Sequence, residues 1–89
     1  MMQLITTKKF WKMYLKLNEI DQKRVDNALE IFIRDPFAVE LNNHWLKWEY
    51  KGHSSINAWF DLRIIFFEEK EVYEIIELEK VWSHSEIYW

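Results

Sequence analysis

The sequence predicts an α+β fold, with two N-terminal helices packed on one face of a small antiparallel sheet. Three observations carry that expectation. From Lys8 to Arg34 the apolar residues recur at three- and four-residue spacing, as on one face of a helix. From Trp45 onward they fall in short runs rich in aromatic and β-branched residues. The third is composition: of 89 residues, 49% are hydrophobic and 18% aromatic, with one Gly and one Pro, which suits one dense domain over residues 1–89 without linkers.

Each element can be justified in order. Met1–Ile5 is short and apolar, and Thr6 or Thr7 can cap a helix by accepting a bond from an orphan N–H. Phe10, Met13, Tyr14 and Leu17 then form an apolar stripe, with Lys8, Lys9, Lys12 and Lys16 largely off it. Asn18 can end this helix and cap a second one, which runs to about Arg34 and buries Val25, Ala28, Leu29 and Phe32. Asp35-Pro36 stops it, because the proline ring disfavours helix at the residue before. After an irregular Phe37–Asn43, the segments Trp45–Tyr50, Ser54–Trp59, Arg63–Glu68 and Val72–Glu79 read as strands of a meander. Lys51-Gly52 marks the first hairpin turn and Glu69-Lys70 the last, while the turn near Phe60-Asp61 must form without glycine.

Composition also excludes functions. The absence of Cys removes a disulfide scaffold, a thiolate zinc site and a Cys nucleophile. No apolar run approaches the ~18 residues of a transmembrane helix, so a soluble, cytoplasmic domain is expected. The net charge of −3 argues against a general nucleic-acid binder. That total hides a polarity: residues 1–24 hold six Lys or Arg against two acids, and residues 53–89 hold three against eight.

No Gly-rich phosphate loop, His-Glu-x-x-His or close His/Asp spacing is present, so no cofactor and no metal is expected. The polar groups of the sheet half are His44, Lys47, Lys51, His53, Asn57, Asp61, Arg63, Ser83, His84 and Ser85. With the strands paired as above, Asp61 and Arg63 lie two residues apart and project to one face. By residue type alone, each His reads first as structural or solvated.

The order of these residues says more. Asn43-His44-Trp45-Leu46-Lys47, Tyr50-Lys51-Gly52, Ser55-Ile56-Asn57, Asp61-Leu62-Arg63-Ile64 and Ser83-His84-Ser85-Glu86-Ile87-Tyr88 together resemble the RelE/ParE toxin superfamily, and within it the YafQ-like mRNA interferases. The resemblance runs along the whole chain and implies a β-α-α-β-β-β-β fold. It further implies a toxin neutralised by a cognate antitoxin from the same operon, cutting mRNA in the ribosomal A site without a metal. By position it gives His44, Asp61 and His84 as catalytic residues, with Tyr88 on a further active-site position and Arg63 on the family's Asp-x-Arg arginine. Asn57 stands where relatives can carry another His, and Lys47 and Lys51 suit backbone-phosphate contacts.

Those residue types fit the reaction. Cleavage by 2′-OH attack needs a base, an acid for the leaving 5′-oxygen, and a cation beside the phosphorane. Imidazole titrates near working pH, and a guanidinium fork matches a phosphate. His84 is then the acid, Asp61 or His44 the base or orienter, and Arg63 the phosphate clamp. Two alternatives stay open: a catalytically weakened RelE-like binding protein retained through its antitoxin, and a ParE-like toxin acting on DNA gyrase.

Overall fold

A single hydroxyl joins the first helix to the sheet. In the computed structural model, which describes residues 3–46 and 52–80, Thr7 Oγ1 accepts from the Phe10 N–H at 3.0 Å and donates to the Ile76 carbonyl at 2.6 Å. Thr7, rather than Thr6, is therefore the N-cap of α1 (Lys8–Lys16). Thr6 instead accepts from the Trp11 indole N–H at 2.8 Å. Asn18 caps α2 (Glu19–Arg34) by accepting from the Asp21 N–H at 2.8 Å, and Asp35 ends the helix before Pro36 as expected. A 3₁₀ turn follows at Val39–Leu41.

The stripes read from the sequence are the buried faces. Phe10, Val25, Ala28 and Phe32 are buried, with Met13, Tyr14, Leu17 and Leu29 packed against them. Phe32 meets Phe66 and Tyr73 edge-on, with ring centroids 4.9 and 5.0 Å away, which fixes the centre of α2 over the sheet. No helix among the described residues is long and apolar enough to cross a membrane.

The sheet has five strands in the order β1-β5-β4-β3-β2: β1 (Gln3–Thr6), β2 (His44–Trp45), β3 (Ser54–Trp59), β4 (Leu62–Glu69) and β5 (Val72–Lys80). It is a RelE-like α+β arrangement with one departure from an all-antiparallel sheet, since β1 pairs with β5 in parallel. The chain leaves β1 straight into the helices and returns to β5 only after the other strands, a long crossover of the kind that parallel neighbours need. The expected strand Trp45–Tyr50 begins one residue early, at His44; Lys47–Lys51 lies outside the described residues.

Phe60-Asp61 joins β3 to β4 with neither residue at positive φ, so no glycine is required. The register slips between Asn57 and Trp59, and that bulge takes up the strand twist. The β4–β5 turn falls on Lys70-Glu71, one residue later than the sequence suggested, because Glu69 pairs with Val72. Both turn residues take positive φ, 50° and 69°, the pattern of a type I′ hairpin. Farther along, Ile65 pairs with Glu77 and Phe66 with Ile75, leaving Ile76 as an extra residue in β5. Its carbonyl is the one that Thr7 satisfies.

Candidate active site

Alternation along the strands separates two faces. Ile56, Leu62, Ile64, Phe66, Tyr73, Ile75 and Leu78 point to the helices. Ser55, Asn57, Arg63, Ile65, Glu77 and Glu79 point the other way, in two cross-strand rows. One row runs His44–Ser55–Ile65–Glu77, the other Asn57–Arg63–Glu79. His44, Arg63 and Asn57, expected in one site from the sequence, thus share a face, with His44 and Arg63 Cα atoms about 12 Å apart by strand spacing.

Asp61 is placed differently from expectation. It sits in the turn ahead of β4 rather than on the strand with Arg63, because Leu62 is already paired with Trp59. One carboxylate oxygen, Oδ1, is buried without a hydrogen-bond partner. His84, Tyr88, Lys47 and Lys51 lie outside the described residues.

The local backbone sets the chemistry of His44. Asn42, which closes the 3₁₀ turn, adopts a left-handed conformation with φ 47° and ψ 52°. From there its carbonyl lies 2.7 Å from His44 Nδ1. A carbonyl oxygen can only accept, so Nδ1 carries the hydrogen, and in the neutral ring Nε2 keeps its lone pair. His44 is exposed, on the edge strand β2. Trp45 beside it is 70% exposed, an open aromatic face of the kind on which bases stack.

Arg63 is held by Glu79, which takes one end of the guanidinium through Nη2. Its Nε is buried and makes no hydrogen bond. Ser55, between His44 and Ile65, is fully buried with its Oγ likewise unpartnered. Sequence reasoning assigned no role to Ser55 or Glu79. His53, by contrast, packs its ring 5.5 Å from Phe67.

A concavity of about 350 Å³ lies between α2, the 3₁₀ turn and β3 and is lined by Arg24, Ala28, Ile31, Leu41, Ala58 and Trp59. Arg24 spans its wall, bonding the buried Asp21 at 3.0 Å and standing 3.9 Å over the Trp59 ring. Among the described residues no group of His, Asp and Glu is arranged to hold a metal ion.

The fold is that of small bacterial toxins of the RelE type. YafQ from E. coli strain BL21(DE3) superposes with a TM-score of 0.73 at 14% identity, covering 100% of both chains. A YoeB/ParE toxin from Agrobacterium tumefaciens gives 0.71 at 19% identity, covering 91% of this chain and all of its own. YafQ in the E. coli DinJ–YafQ complex gives 0.70 at 10% identity over the whole of both chains. No protein-family model and no curated protein matches the sequence.

Proposed function

We propose that the chain is the toxin of a toxin–antitoxin pair, an endoribonuclease that cleaves mRNA on the ribosome. What supports the reading most is one sheet face bearing an imidazole with a free acceptor nitrogen and an arginine with an unused donor, on a fold shared end to end with YafQ. His44 Nε2 takes the proton of the ribose 2′-OH, and the 2′-oxygen attacks the phosphorus. The bond to the 5′-oxygen breaks as His84 protonates it, leaving a 2′,3′-cyclic phosphate and a 5′-OH. Arg63 offsets the charge gathering on the phosphorane, and Asp61 orients an imidazole or serves as an alternative base. Lys47, Lys51, Asn57 and Tyr88 contact the RNA. The partner that silences this activity is a small antitoxin that covers the same face. YafQ is found in a complex with DinJ.

One observation favours a second reading. Arg63 is neutralised by Glu79, as expected of a weakened relative that persists as a binding protein. A single experiment separates the two. Purified protein is added to ribosomes translating a defined mRNA, and cuts are mapped by primer extension, with His84→Ala as control. Ribosome-dependent cuts that vanish in His84→Ala support the nuclease. Intact mRNA with the wild-type protein refutes it and leaves the binding protein.

A further inference from the structure

The Arg63–Glu79 pair sits where the reaction needs an unopposed cation. Arg63 belongs to β4 and Glu79 to β5, the two are in register, and both side chains are about one-third exposed (28% and 31%). The contact uses one end of a planar fork, while Nε is buried and unbonded. A guanidinium that keeps one donor on a carboxylate and another unspent is incompletely satisfied. Two oxygens of a phosphate, taking the place of the Glu79 carboxylate, would engage the Nη donors of the guanidinium in the bidentate geometry arginine favours. Asn57, the cross-strand neighbour on β3, brings no charge, so nothing on that flank offsets Glu79.

We propose that Glu79 is a built-in competitor for RNA phosphate at Arg63: it holds the guanidinium in place in the free protein and must be displaced when the backbone binds. This rests on the reading of the face as an RNA site. Glu79 acts through Arg63 and is a positioning residue that lowers affinity for polyanions. It thereby helps confine a net-acidic chain to targets that supply further contacts.

The test uses a short single-stranded RNA, fully 2′-O-methylated so that it cannot be cleaved, titrated against the full chain, Glu79→Gln and Glu74→Gln. Glu74 is an exposed acid on the same strand, paired with Phe67 well away from Arg63, and controls for net charge. Glu79→Gln is expected to bind about two- to fivefold tighter, the range a part-exposed ion pair represents. The slope of log K against log salt should steepen by about 0.7, one more single-strand phosphate neutralised. Arg63 Nε–H should shift in the NMR spectrum of Glu79→Gln on adding RNA. Equal tightening in Glu74→Gln, or unchanged or weaker binding in Glu79→Gln, overturns the proposal. Tighter binding of Glu79→Gln together with intact mRNA in the ribosome assay leaves it standing and refutes the nuclease; ribosome-dependent cuts by the wild-type protein with no gain in Glu79→Gln do the reverse.

Discussion

Asn42 is the position where one backbone angle should control the imidazole proposed above as the general base. At φ 47° it pays the left-handed penalty of about 1–2 kcal/mol that asparagine bears better than most residues, and Gly escapes. A β-branched side chain there is a steric outlier, so Asn42→Val should move the peptide out of this region and take the carbonyl away from His44 Nδ1. The lost hydrogen bond is worth about 0.5–1.5 kcal/mol, so the ratio of the tautomer with its lone pair on Nε2 to the other should fall by roughly two- to tenfold. Cleavage should drop by at most that factor, far less than the roughly 10²–10⁴-fold expected of His44→Ala as loss of a general base. Asn42→Gly keeps the left-handed geometry and should stay near wild type. Nitrogen-15 NMR of the labelled imidazole reads the tautomer directly, and single-turnover cleavage reads the rate. If Asn42→Val keeps hydrogen on Nδ1, the carbonyl is not what sets the tautomer, and the argument fails whatever the rate does.

The β4–β5 turn, the cap of α1 and the buried Tyr73 each govern stability in a measurable way. Replacing Lys70-Glu71 by Asn-Gly relieves two side chains at positive φ and should stabilise by about 1 kcal/mol, raising Tm by ~4–8 °C in a calorimetric scan. The bond from Gln3 N–H to the carbonyl of residue 71, at 3.0 Å, survives that exchange. Thr7→Val removes both the cap on Phe10 and the donor to Ile76 and should destabilise by about 1–3 kcal/mol, read from the urea midpoint. Burial, then the hydrogen bond and charge of Glu68 and the charge of Glu71, push the Tyr73 hydroxyl above its ordinary 10.0. The unfolded chain therefore loses this proton first, so stability holds below about pH 10 and falls as pH climbs through the folded value. Urea midpoints at about pH 9 and about pH 11 should show a fall that is smaller in Tyr73→Phe.

The helical half was legible because its signals are local. Thr7, Asn18 and Asp35-Pro36 cap or stop helices through bonds to residues three or four away, and the stripes of Phe10 and Phe32 repeat at helical spacing. The strands were legible as segments, since aromatic and β-branched runs mark them. The parallel seat of β1 was not, because a four-residue apolar segment carries no mark of its partner. Of the residues the motif order groups, His44, Asn57 and Arg63 lie on one sheet face, while Asp61 falls in the turn before β4. The left-handed Asn42 that directs His44 leaves no trace in residue types alone.

The Arg63–Glu79 pair shows how small errors of register hide chemistry. A turn at Glu69-Lys70 sets Arg63 opposite Ile76, an apolar neighbour that leaves the guanidinium free. Moving the turn to Lys70-Glu71 advances the partner by two residues, and the extra Ile76 in β5 advances it by one more, to Glu79. Neither step is visible beforehand: charged residues at positive φ do not mark a primed turn as Asn-Gly would, and a bulge among Ile75, Ile76 and Glu77 changes no pattern of residue types. Thr7 bonds the carbonyl of the inserted Ile76, so the cap of α1 also helps hold the register that brings Glu79 to Arg63. The acidity of the second half of the chain, which from composition alone only argued against nucleic acid, thereby acquires a location. One of its carboxylates, Glu79, stands on the Arg63 guanidinium, and on the function proposed above the balance between that carboxylate and RNA phosphate would decide how readily this face acts on a nucleic acid.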